Sequence, residues 1–137
     1  MNYEILIKEA VEARKKAYVP YSNFKVGAAV FTDDGRIFSG CNIENASFGA
    51  TNCAERTAVF KAVSEGAKYI TAVAIVGDIS SFTYPCGICR QVLAEFASDM
   101  NMEIILAKNE KEYIVEKLCN ILPGAFTKRD LDKEKMD

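Results

Sequence analysis

Ile70-Thr71-Ala72-Val73-Ala74-Ile75-Val76 is an unbroken run of β-branched and small apolar residues, the pattern of a strand covered on both faces. A strand of that kind lies centrally in a sheet and needs helices above and below it. The flanking sequence supplies them. Upstream, Cys53 opens a helical pattern through Ala54, Thr57, Ala58, Lys61 and Ala62 that stops at Gly66. Downstream, residues 77–85 return over the surface, and Cys89, Val92, Leu93 and Phe96 recur at helical spacing. Further out, Tyr3, Leu6, Ile7, Ala10, Ala13 and Ala17 mark an amphipathic first helix that Pro20 ends. Residues 24–31 and 36–43 flank Asp33-Asp34-Gly35 as a β-hairpin, and residues 45–52 form a small, polar loop. Residues 103–107 read as a strand and residues 113–122 as a helix. The sequence thus predicts an α/β fold in three layers, α-β-α, around a central mixed sheet. An N-terminal helix and hairpin are followed by alternating helices and strands in one domain over residues 1–126. Residues 127–137, of balanced mixed charge, are expected to form a mobile tail.

The length of 137 residues suits one domain. The 17 basic and 19 acidic residues give a formal charge of -2 without a block of either sign, which speaks against a nucleic-acid partner. No apolar run approaches the ~18 residues of a membrane span. The start, Met1-Asn2-Tyr3-Glu4, lacks the features of a secretory signal, so a reducing cytoplasm is expected and the five cysteines are thiols or ligands. There is no histidine, which removes the commonest general base and every mixed histidine metal site. Chemistry here falls to carboxylates and sulfur.

Cys53 and the pair in Pro85-Cys86-Gly87-Ile88-Cys89 each open a helix. Unpaired N–H groups and the positive dipole end at a helix start favour thiolate, the metal-binding form. A Cys-x-x-Cys alone serves equally as a redox pair or half of a metal site. With a third cysteine at a neighbouring helix start, the set becomes three sulfurs with one tetrahedral position open, which is the arrangement of a catalytic ion. Glu55, two residues after Cys53, is not needed as a ligand and is free to move protons; an arbitrary glutamate there would be a solvated first-turn carboxylate. Cys41 and Cys119 read as small buried hydrophobes.

Cys53-Ala54-Glu55 followed by Pro85-Cys86-x-x-Cys89 is the zinc-deaminase signature with cysteine in place of histidine. The chain also carries Pro20-Tyr21-Ser22-Asn23-Phe24-Lys25-Val26-Gly27-Ala28-Ala29, Asn42-Ile43-Glu44-Asn45-Ala46-Ser47 and Leu122-Pro123-Gly124-Ala125-Phe126 in order. From about residue 19 to 126 it resembles the short, homotetrameric cytidine deaminases. The resemblance implies one Zn²⁺ per chain on Cys53, Cys86 and Cys89. It implies hydrolytic deamination of free cytidine and deoxycytidine in pyrimidine salvage, by attack of zinc-held hydroxide at C4 with Glu55 as proton shuttle. Three thiolates leave the site at net negative charge, and the resemblance assigns Arg56 the task of drawing some of it off. Gln91 is expected to orient the same shell.

Asn42 and Glu44, two apart near the end of the second hairpin strand, share a face and suit a ribose hydroxyl. Similar deaminases use this pair so, and a carboxylate there disfavours a 5′-phosphate. By resemblance, Phe24 packs against the pyrimidine, the Ala54 backbone reads the base edge, and Phe126 reaches a neighbouring subunit's pocket. In isolation, Phe24 would be hairpin core and Phe126 a docked C-terminal residue. The family often has tyrosine where this chain has Phe48, which removes a hydroxyl donor. Two other readings remain at this level: a deaminase for a cytosine-bearing antibiotic nucleoside, and a thiol–disulfide oxidoreductase using Cys86 and Cys89.

Overall fold

The computed structural model describes residues 1–132. A five-stranded mixed sheet runs in the order β2-β1-β3-β4-β5, with β1 at Gly27–Thr32, β2 at Ile37–Cys41, β3 at Ile70–Val76, β4 at Glu103–Ala107 and β5 at Tyr113–Lys117. β3 and β4 are parallel and the other pairs antiparallel. The apolar run 70–76 is the middle strand, and its alternation feeds two cores. Val73 and Ile75 meet α2 (Ala54–Ser64) and α3 (Gly87–Phe96), whereas Ala72, Ala74 and Val76 meet α1 (Tyr3–Arg14). These are the expected three layers.

Two glycines let the helices approach. A Cβ on Gly27 would lie 2.0 Å from the Ala10 carbonyl oxygen in α1, and one on Gly40 would lie 2.6 Å from the Ala58 amide nitrogen in α2. Gly27 pairs with Cys41 on one side and Val76 on the other. The end of β2, the end of β3 and the approach to β1 therefore meet at one rim of the sheet, where the helices after β2 and β3 begin.

The structure departs from the expected elements in several places. Residues 113–122 are not one helix: Tyr113–Lys117 is an edge strand paired antiparallel to β4, followed by the single turn α4 at Leu118–Ile121. The backbone edge of β4 needs a partner, and Ile114 and Val115 suit a half-exposed strand, so sheet pairing overrides a helical spacing of only a few residues. The first helix ends at Arg14, well before Pro20, so Ala17 lies outside it. Arg14 closes this end by donating from Nε to the carbonyls of Gly77, at 2.8 Å, and Lys25, at 3.2 Å. Residues 45–52 include a 3-10 turn at Phe48–Ala50. Within the segment expected to be a tail, Lys128–Leu131 forms a 3-10 turn capped by Thr127, and residues 133–137 lie outside the described residues.

Candidate metal centre

Cys53 and Cys86 are the N-cap residues of α2 and α3, and neither side chain makes a capping hydrogen bond. Serine or aspartate would cap better; cysteine here leaves its sulfur uncommitted to the helix amides. Cys89, in the first turn of α3, completes the trio, and the three Sγ atoms lie within 4.8 Å of one another. Cys53 and Cys86 are 3.9 Å apart. Tetrahedral zinc with bonds of about 2.3 Å requires sulfurs roughly 3.8 Å apart, so the residues fit that ion. Cys89 is buried, Cys53 half-buried and Cys86 exposed, which leaves an approach from the Cys86 side.

The donor set makes the same point electrostatically. With protons alone, a proton shared with the neighbouring Cys89 sulfur, with help from Arg56, holds the Cys53 thiol well below its ordinary value. The shared proton and burial push Cys89 up in turn. Only a cation lets the three sulfurs ionise together. Arg56 Nη2 donates to Cys53 Sγ at 3.3 Å, while its buried Nε has no partner.

Glu55 is 5% exposed in the first turn of α2. Burial raises its carboxyl to about 7, and negative charge on Cys53 adds to the rise, opposed by its own backbone amide, the Cys89 thiol and Arg56. Such a group takes up and releases a proton near neutrality. The turn that holds it is pinned from behind: Asn52 exchanges backbone hydrogen bonds of 2.9 Å with Ile43, and its side chain donates to Thr57 Oγ1 at 3.0 Å.

Ile43 sits between Asn42 and Glu44, so this bridge brings the expected sugar-side residues to the cysteine turn. Asn42 spans residues 24–26, accepting from the Val26 amide at 2.9 Å and donating to the Phe24 carbonyl at 2.8 Å. Glu44 accepts from the amides of Tyr21 and Ser22 and from the Ser22 hydroxyl. Tyr21, Ser22, Glu44, Phe48 and Thr51 line a cleft of about 360 Å³, with Tyr21 and Phe48 edge to face at 5.9 Å. Phe24 is exposed, as is Phe126, and Ala54 is fully buried at the start of α2.

Gln91, expected to orient the sulfur shell, donates its side-chain amide to the Phe126 carbonyl at 2.7 Å. Gln91, at the start of the second turn of α3, is exposed, whereas Cys89 is buried. Sequence reading missed Arg90, which joins the Pro85 carbonyl at 2.8 Å to the Ile121 carbonyl at 2.6 Å and so fixes the loop that presents Cys86. Its signal was its place directly after a candidate ligand. It also missed Ser22, whose partner lies far along the chain.

Residues 1–105 match the family model described as the cytidine and deoxycytidylate deaminase zinc-binding region. The chain is 50% identical over 131 residues to a cytidine deaminase of Sporosarcina psychrophila, covering 96% of each chain. It is 48% identical to that of Halalkalibacterium halodurans, covering 96% of this chain and 99% of the relative. A crystal structure of cytidine deaminase from Burkholderia pseudomallei superposes with a TM-score of 0.85 at 47% identity, covering 92% of this chain and all of that one. Among the described residues no helix is long and apolar enough to cross a membrane.

Proposed function

We propose, since this chain belongs to the zinc-dependent cytidine deaminase family, that Glu55 moves the protons of its reaction. The reaction is hydrolytic deamination: cytidine or deoxycytidine and water become uridine or deoxyuridine and ammonia. Held by Cys53, Cys86 and Cys89, zinc supplies Lewis-acid activation of water. Glu55 takes one proton from the water that adds at C4 of the pyrimidine and gives it to N3. It then passes the second water proton to the exocyclic nitrogen as the C4–N4 bond breaks, so that ammonia leaves and the added oxygen remains as the carbonyl. Arg56 draws negative charge from Cys53 and so offsets the surplus of a three-thiolate set.

Asn42 and Glu44 hold the ribose, Phe24 packs against the pyrimidine, and the Ala54 backbone reads the base edge. The carboxylate of Glu44 favours free nucleosides over their 5′-phosphates. One domain over residues 1–126 carries these groups, and the thiol state of its cysteines suits a reducing cytoplasm. The exposed Phe126, tethered through its carbonyl by Gln91, enters a neighbouring subunit's site in a homotetramer.

The observation that carries this reading is a buried carboxyl, Glu55, in the first turn of the helix that Cys53 caps, beside three clustered sulfurs. The test follows the absorbance of cytidine with and without a zinc chelator, beside metal analysis of the protein. One zinc per chain and loss of turnover on chelation support it; full turnover by zinc-free protein overturns it.

A further inference from the structure

The segment between α1 and β1 is organised around two side chains of the β2 end. Tyr18 pairs with Ile43, Asn42 spans residues 24–26, and Glu44 takes the amides of Tyr21 and Ser22 on Oε1, at 3.0 and 3.1 Å. Ser22 stands at the centre of this arrangement. Its hydroxyl donates to Glu44 Oε2 and accepts from the Phe24 amide at 3.0 Å. That double bond pattern requires the chain to reverse at Asn23, which adopts φ 58, a left-handed conformation that asparagine tolerates better than most residues.

A carboxylate offers about four acceptor sites. Three on Glu44 are filled from within the chain, two at Oε1 and one at Oε2. The remaining site, on Oε2, suits a single ligand hydroxyl. Asn42 likewise keeps one donor and one acceptor after its bonds to Phe24 and Val26. The Ser22 hydroxyl is the first cause holding Glu44 below its ordinary carboxylate range, so the group stays an acceptor.

We infer that Ser22 is a positioning residue for the nucleoside: its one hydroxyl turns Glu44 Oε2 toward a ribose hydroxyl and fixes the backbone of Phe24 beside the base. This rests on the proposed sugar contact of Glu44. Ser22 touches neither the sulfurs nor Glu55, so it governs substrate binding and leaves the bond-breaking steps alone.

The test is a double-mutant cycle on the zinc-loaded enzyme with cytidine, using Ser22→Ala, Glu44→Gln and the pair, with zinc content and Tm measured for each. Ser22→Ala is expected to raise KM about 10-fold, the scale of one hydrogen bond to a charged group, with kcat within about twofold of the parent. Ser22→Thr, which keeps the hydroxyl, restores most of the loss. In the Glu44→Gln background the serine change adds little, because the two act through one contact. If Glu44→Gln raises KM but Ser22→Ala does not, or if the two losses simply multiply, the inference is overturned while the sugar contact stands. If Glu44→Gln leaves KM unchanged, the sugar contact itself fails and the inference with it. Should Ser22→Ala lower Tm sharply, Ser22→Cys, with its weak donor, gives the same reading in a near-isosteric side chain.

Discussion

Replacing Glu55 with glutamine separates catalysis from stability, because the two respond in opposite directions. Glutamine preserves the volume of a side chain that is 5% exposed, and it cannot carry a proton between water, N3 and the exocyclic nitrogen. General acid–base catalysis contributes about 10²–10⁴-fold, so Glu55→Gln is expected to lose at least that range in kcat, roughly 3–5 kcal/mol of barrier. Stability follows from the carboxyl, raised from 4.5 to about 7. A raised pKa means that the folded chain holds the proton more tightly than the unfolded chain. Its stabilising effect is complete below the unfolded value and is lost as pH rises through 7. That rise sets an upper bound of about 3 kcal/mol on the cost of ionised Glu55 at pH 8. The amide has no such cost, so the variant should melt no lower than wild type at pH 8, and the advantage should disappear at pH 5. Steady-state deamination of cytidine, zinc content and thermal unfolding at the two pH values measure all of this. A zinc-loaded Glu55→Gln enzyme with near wild-type turnover would refute the proton-shuttle role, and a Tm well below wild type at pH 8 would refute the burial argument.

Arg56→Ala removes the donor at Cys53 Sγ and leaves more negative charge on the sulfur set. It should keep one zinc per chain while moving the acidic limb of the kcat–pH profile to higher pH; an unchanged profile counts against charge withdrawal by Arg56. Glu44 is held below its ordinary range by Ser22 and by the amides of Ser22 and Tyr21. With a depressed folded value, its contacts are intact above the unfolded carboxylate range and are lost only as pH falls through the folded value, so KM for cytidine should stay flat down to about pH 4.5. A KM that climbs between pH 6 and 5 would contradict this. Gly27→Ala drives a methyl to 2.0 Å from the Ala10 carbonyl and should destabilise the protein by about 1–3 kcal/mol or more, read as a drop in Tm; an unchanged Tm would show that α1 shifts freely.

Most of the sheet, the helix starts and the three cysteines that cluster were legible in the sequence because each has a local signal. A doubly covered strand is a continuous apolar run, as at Ile70–Val76, and two helix starts that carry cysteine where capping residues belong announce a demand other than capping. The absence of histidine pointed the proposed chemistry to sulfur and carboxylates. What lay beyond reading was decided by partners distant in the chain. Tyr113–Lys117 is a strand because the edge of β4 is there to be paired, a condition that no window of ten residues contains. Gln91 bonds the carbonyl of Phe126, 35 positions later, a partner that no local pattern announces. Ser22 acquires a role only when Glu44, 22 residues on, is folded against it. Periodicity and capping are set by neighbours within a turn or two, whereas sheet edges and the hydrogen-bond partners of polar side chains are settled only when remote segments compete for the same unpaired groups.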